Sequence, residues 1–558
     1  MAEVYTVREQ CERRLAGLKA ERKSWEARWL DLDRYMYPGG SRLSREDTNR
    51  GYRKDLDILD NTGVLARRTL ASGLHSGMNS PARPWFRFGT DDPDLNEFHS
   101  MKVWLSVFEE RARTILGAGN LYNTIHADNG QLGTFGNGAI WLDDDYEDVI
   151  RGYGLVCGEY WLSQNERGVV DTISRELMMT VRQTIAKFGL DNVSQTVRTS
   201  YDQSNYDTLV PVTQVVEPNP EFIPGRRLGP GAKAWRSVWW EPGAPDKTNL
   251  ALGYYSWFPV IAPRWDVIGL DVYGQAPAYD TLGDDKGLQL MELRALEALD
   301  KAVNPPLQGP TALRNSAVDL VPGSITYVDV ATPQMGLRPI YEVQPRLDLL
   351  EAKQAQIRQR INQGLYVDLF LLLHQSELSG NTTEKTAYEV AQRHQERLLM
   401  LGPVIERLHN ERADRLLSAL AARMIALRLV PPPPPEMRGR SIQIEYISAL
   451  AQAQRAVGTA SIERLAGFVG NLAAVNVAVL DKFDADEAVD QYAEAVGASP
   501  RIVVPDETVA RVRQARAQQE SAANALAGAE SAAKSAQVLS QTDTRTDNAL
   551  TRILGLAA

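Results

Sequence analysis

"DTLGDDKGLQLMELRALEALDKAV", residues 280–303, reads as a helix, and Asn304-Pro305-Pro306 ends it. What comes next decides the fold. About forty residues, 305–345, carry Pro, Gly and short β-like runs, "AVDLVPGSITYVDV" and "LRPIYEV". A second helix then covers 346–363. A small mixed module is thus inserted between two helices. That uncommon arrangement puts the module at the far end of a helical pair, projecting from the main body.

N-terminal to the pair, residues 3–37 form an amphipathic helix with Val4, Cys11, Leu15, Leu18, Trp25, Trp29, Leu32 and Met36 on one face. Pro38-Gly39-Gly40 ends it. Asp60-Asn61-Thr62 caps a second helix, which runs into "LASGLHSGMNSPARPWF", residues 70–86, and stops before Pro81. A third covers about 94–116 and is closed by Gly117 and Gly119. Between 138 and 265, "GAIWLD", "GEYWLS", "VVDTIS", "LVPVTQVVE", "AWRSVWWEP" and "YYSWFPVIA" read as strands, with "QNERG" as a hairpin turn. One helix, about 178–188, interrupts them and is stopped by Gly189.

C-terminal to the pair, residues 374–383 are polar and loop-like, and Thr382 or Thr383 caps a helix of roughly forty residues, about 60 Å long. Gly402-Pro403 should kink or split that helix, since proline has no amide hydrogen to donate. "PPPPP" at 431–435 is a stiff spacer, "SIQIEYIS" a strand, and helices continue to about 496. Residues 509–537 hold 11 alanines in 29, a good helix with little large apolar surface. The class is α+β, mainly helical.

The chain has 558 residues and a net charge of −10, the wrong sign for a protein that grips nucleic acid over a large surface. Two cysteines, Cys11 and Cys157, exclude a disulfide framework and suit a reducing compartment. No secretory signal and no membrane-length apolar run is visible. Gly73-Leu74-His75-Ser76-Gly77 is not a hydrolase elbow, and His75 and Ser76 are helix neighbours that do not face each other. It reads instead as a helix end whose small residues permit close packing, redirected by Pro81 and Pro84 into the Trp85-Phe86 anchor. Phosphate-loop and metal-ligand spacings are absent. Asp143-Asp144-Asp145, read as a turn, is the one carboxylate cluster that offers a metal-dependent nuclease; successive aspartates in a turn point in different directions, and a solvated loop is the better reading. A helical scaffold protein is the other rival.

"LASGLHSGMNSPARPWFRF", "VYGQAPAYDTL" before a helix ending "DKAVNPPL", "LVPGSITYV", "GLYVDLF", "TAYEVAQRHQERLLMLGPV" and "IEYISALAQAQ" occur in this order. From about residue 5 to about 500 the chain resembles the head-to-tail connector (portal) proteins of short-tailed double-stranded DNA bacteriophages. The resemblance implies a homo-oligomeric ring of about twelve subunits at one capsid vertex. It implies a wing (1–279 and the long helix within 364–448), a stem (280–304 and 346–363), a clip (305–345) and a crown (449–558). It implies double-stranded DNA in the channel and docking of major capsid protein, scaffolding protein, terminase large subunit and tail adaptor. It calls for no enzymatic activity, cofactor, metal or membrane, and it places the chain in the virion after assembly in the host cytoplasm.

The channel-facing loop then falls on 374–385, with His374, Gln375, Ser376, Glu377, Asn381, Thr382, Thr383 and Lys385 facing DNA. The clip offers Arg314, Asp319, Tyr327 and Asp329 to partners. In the second stem helix, Arg346, Lys353, Arg358 and Arg360 are open to two readings. They touch phosphates weakly, or they pair with Asp284, Asp285, Glu292 and Glu297 of the first.

Overall fold

A computed structural model describes residues 6–43, 55–92, 98–244, 249–303, 307–308, 338–339, 347–371, 400–437, 441–448, 450, 465–473, 477–496, 504 and 506–540. The chain divides into two units, 1–454 and 455–558.

In the first unit, helix α1 (Val7–Tyr35) opens on a capping box: Thr6 accepts the Glu9 amide and Glu9 accepts the Thr6 amide. Cys11, Leu15, Leu18, Trp29, Leu32 and Met36 are buried, as their spacing requires. Helix α2 (Thr62–Met78) starts where the Asp60 carboxylate accepts the Thr62 amide at 2.7 Å. Its glycines serve close approach. A side-chain carbon on Gly73 would overlap Phe370, and one on Gly77 would sit 2.7 Å from Leu450. Trp85 and Phe86 are buried, and the chain continues as strand β1 (Phe86–Thr90).

Helix α3 (His99–Ala118) runs through Gly117 and ends at Gly119. Helix α4 (Leu121–Phe135) has no counterpart in the sequence reading. Its Asn, Asp, Thr and Gly residues disguise it, because it is buried nearly all round and shows no polar face. Gly133 lets Leu70 approach to 2.7 Å of where a side chain would begin.

The middle of the chain builds two antiparallel sheets. Strands β2 (Ile140–Asp145), β3 (Val149–Gly154), β4 (Tyr160–Gln164) and β5 (Val170–Thr180) come first. Helices α5 (Val181–Phe188) and α6 (Gln195–Asp202) follow, then β6 (Leu209–Pro218), β7 (Trp235–Trp240), β8 (Ala251–Tyr255) and β9 (Val260–Ile261). The larger sheet has the order β4-β5-β6-β7-β8, the smaller β3-β2-β9. "QNERG" is the β4–β5 turn, where Asn165 accepts the Arg167 and Val169 amides and Gly168 takes φ +71. Three readings change. Residues 178–180 belong to β5, because Thr180 ends the strand and caps α5. α6 is an additional helix, capped by Ser194. "YYSWFPVIA" is shared between β8 and β9, which lie in different sheets.

Helices α7 (Pro277–Val303) and α8 (Leu347–Gly364) flank a two-residue pairing of β10 (Leu307–Gln308) with β11 (Arg338–Pro339). The remaining residues of 305–345, and 372–399, lie outside the described residues. The clip residues Arg314, Asp319, Tyr327 and Asp329 and the whole loop 374–385 fall there, and Arg346 also lies outside the described residues.

Helix α9 covers 400–426, so Gly402-Pro403 lies in its first described turn, and the residues on the other side of the expected break lie outside the described residues. Its irregularity is a π-turn, His409–Ala413, held by its surroundings. His409 stacks on Tyr446 with centroids 3.9 Å apart, and Glu411 accepts from Arg264. Arg412 is buried, donating to Asn129 at 2.5 Å and Asn79 at 3.1 Å. Strand β12 (Ile442–Tyr446) pairs with β1, Phe86 opposite Tyr446. In the second unit, α10 (Ala485–Val496) is tied to α11 (Asp506–Ser540) by Arg513–Asp486 at 2.6 Å. The Ala-rich stretch is helical, with residues 510–523 exposed.

Candidate functional site

The helical pair is the part of the sequence-predicted site within the described residues. Its helices run antiparallel: Gly364 packs against Thr281, Arg360 reaches Asp284 at 2.6 Å, and Arg358 reaches Glu292 further along. The inner half of α7 is seated in the first unit. Ala278, Thr281, Leu282, Asp285, Leu288 and Gln289 are buried, spaced as one helix face. From α8, Gln354, Ile357 and Ile361 close over them.

Beyond Gln289 no residue of α7 is fully buried. Leu290, Leu293, Leu296, Leu299 and Val303 are all exposed, from 41% at Leu293 to 77% at Val303. Their spacing of three and four makes each the neighbour of the next, in a row that winds about half-way round the helix. Leu349 of α8 is exposed as well. An apolar row of this length is the kind of surface that protein–protein contacts cover.

The basic residues of α8 are engaged inside the chain. Arg358 donates to Asp60 at 2.8 Å and also pairs with Glu292, and Arg360 takes Asp284. Lys353 donates to the neutral amide of Gln356 at 3.1 Å. Glu297 pairs with Arg294 of its own helix at 2.6 Å. Asp285 is the exception among the acids. It is fully buried, and neither carboxylate oxygen has a hydrogen-bond partner. Burial, the larger effect, and the neighbouring Asp60 charge raise it to about 7, with Gln289 a partial offset. Asp60 behaves oppositely: despite burial, the Thr62 contacts and Arg358 hold its carboxyl below the ordinary value.

Asp285 and Gln289 were missed as joint residues, although the sequence holds the signal. Asp285 sits on the apolar face between Leu282 and Leu288, where a charge has no solvent. Gln289 uses both ends of its amide, accepting from Leu59 and Asp60 amides and donating to the Asp60 carbonyl. It clamps the segment before α2 onto α7.

The carboxylate cluster is not a turn. Asp143, Asp144 and Asp145 end strand β2, so successive side chains point to opposite faces. Asp144 pairs with Arg423, and Asp145 with Arg151 at 2.9 Å while also accepting the Glu147 and Asp148 amides. Among the described residues no group of three potential ligands surrounds a metal position. Of the motif His75-Ser76, the serine donates to the Gly73 carbonyl, and the His75 ring meets His126 edge-on at 5.4 Å. No helix of the described residues is long and apolar enough to cross a membrane.

Comparison with known proteins adds the following. The family described as "Bacteriophage head to tail connecting protein" matches residues 8–503. The chain is 41% identical over 553 residues to the portal protein of Salmonella phage epsilon15, covering 99% of each. It is 40% identical over 550 residues to a probable portal protein of Bordetella phage BPP-1, covering 98% of each. Two solved structures are more distant. A chain in the virion of a native gene transfer agent particle shares 11% identity at a TM-score of 0.30, covering 60% of this chain and 67% of that one. A chain in the neck of an empty gene transfer agent particle shares 11% at 0.33, covering 79% and 91%.

Proposed function

This chain belongs to the bacteriophage head-to-tail connecting protein family, and from that premise we propose that copies of it close into a ring at one capsid vertex, through which double-stranded DNA enters and leaves. The observation that carries this reading is the apolar stripe Leu290–Leu293–Leu296–Leu299–Val303, which the described residues of the chain leave uncovered. In a ring each α7 meets a neighbouring copy, and burying such side chains stabilises association by about 25 cal/mol per Å² removed from water. About twelve subunits is the number the family resemblance suggests.

In this reading 1–279 and α9 form the wing, and α7 and α8 the stem. The clip is 305–345 and the crown 449–558. Terminase and tail adaptor dock on the clip through residues such as Arg314, Asp319, Tyr327 and Asp329. The capsid and scaffolding proteins meet the wing. The loop residues His374, Gln375, Ser376, Glu377, Asn381, Thr382, Thr383 and Lys385 touch DNA without reading its sequence. Arg346 and Lys353 supply weak phosphate contacts. Arg358 and Arg360 contribute less, because their charge is already balanced by Asp60, Glu292 and Asp284.

A conduit must let its cargo slide. With −10 per copy, a ring of about twelve carries roughly −120, a field that repels phosphates and limits tight holding. The reading gives the chain no reaction of its own. The test is replacement of 374–385 by a Gly-Ser linker in particles. Rings and procapsids should form normally while DNA packaging or retention falls. Full genome content at the wild-type frequency would remove this loop from the channel.

A further inference from the structure

Where α2 meets the root of the helical pair, the contact is made by an acid. The Asp285 carboxylate faces the backbone of Gly63: a side-chain carbon on Gly63 would lie 2.8 Å from Oδ1 and 3.2 Å from Oδ2. The carboxylate is fully buried and neither oxygen accepts a hydrogen bond. A buried carboxylate normally survives because a cation or several amides hold it.

Here the surrounding charges are balanced without it. From the segment before α2 comes Asp60, which takes Arg358 of α8 and the Thr62 amide. Arg358 is shared with Glu292 of α7. Arg360 of α8 takes Asp284, and Lys286 of α7 takes Asp31 of α1 at 2.6 Å. Arg67 of α2 lies over the Tyr37 ring, 3.8 Å from its centroid. On α4, the buried Asp128 lies 3.7 Å from Arg412. Each of these cations has an acid or ring of its own, so an ionised Asp285 would add a negative charge next to Asp60 with no cation to balance it and only the Gln289 amide as a partial offset.

We propose that the joint between α2 and the helical pair closes on Asp285 as an uncharged carboxylic acid, and that release of its proton to solvent loosens the joint. The root of the pair is thereby a pH-sensitive hinge. The sign follows from linkage. The folded group holds its proton up to about 7, whereas an ordinary carboxyl, at 3.8, has already lost it. The joint is therefore tightest in acid and loosens as pH rises through about 7.

Hydrogen–deuterium exchange of the full-length chain at pH 6 and pH 8, corrected for intrinsic exchange, reads this directly. Peptides covering 60–66 and 278–290 should lose protection several-fold at pH 8, while the β5–β6 pair stays unchanged. Asp285→Asn keeps the shape without the charge and should hold its pH 6 protection at both values. Asp60→Asn removes the neighbouring charge and frees Arg358 to turn toward Asp285, so the midpoint should fall to lower pH. A pH dependence that persists in Asp285→Asn, or an unmoved midpoint in Asp60→Asn, overturns the proposal. If Asp285→Asn does not fold, the wild-type profile decides alone: joint and sheet changing alike between the two pH values would also overturn it.

Discussion

The inner and outer halves of α7 belong to one unbroken helix and live in opposite surroundings. Ala278, Leu282 and Leu288 are covered by the chain's own body. Leu290, Leu293, Leu296, Leu299 and Val303 continue the apolar character into solvent. The first half is stabilised by folding, and in the proposed ring the second is stabilised by association. Substitutions in the two halves should therefore fail in different ways.

The largest effect belongs to the inner half. Leu288→Ala, at a fully buried site, should cost about 2–5 kcal/mol in the unfolding free energy of the chain, seen by denaturant titration. A loss confined to assembly would break the comparison. Next come Leu293→Glu and Leu296→Glu together. The helical content and melting of the isolated chain should stay unchanged, while sedimentation shows loss of the oligomer. Arg358→Ala removes the partner of Asp60 and of Glu292 at a part-buried site and should destabilise the joint by about 1–3 kcal/mol. The smallest effect is Arg294→Ala in the exposed pair with Glu297, expected under about 1 kcal/mol and further reduced by salt.

The same contrast explains what the sequence makes legible. α1, α7, α8 and α11 have clear periodicity or composition, and their ranges match the reading closely. The β-rich middle was visible from its aromatic and β-branched runs. α4 was not, because polar and glycine residues that usually mark loops are here packed against Leu70, Tyr37 and Gly152. β1 needed its partner β12, more than three hundred residues away in the chain, to be a strand. The π-turn in α9 is fixed by Arg264, Asn79, Asn129 and Tyr446, all distant in sequence, so no local signal marks it. Of the helical pair, the ion pairing of Arg358 and Arg360 was one of two open readings. The buried acid Asp285 reads from the sequence only as one of four possible ion-pair partners for the second helix, since periodicity alone does not tell which polar residue a neighbouring helix will cover.

The account stands most directly on whether the outer stripe of α7 faces another copy in a closed ring. Electron micrographs of the purified full-length chain, taken beside the Leu293→Glu, Leu296→Glu variant, test it. The account predicts rings with a central channel for the wild type and dispersed folded chains for the variant. Wild-type particles without a channel, or variant rings indistinguishable from the wild type, would contradict it.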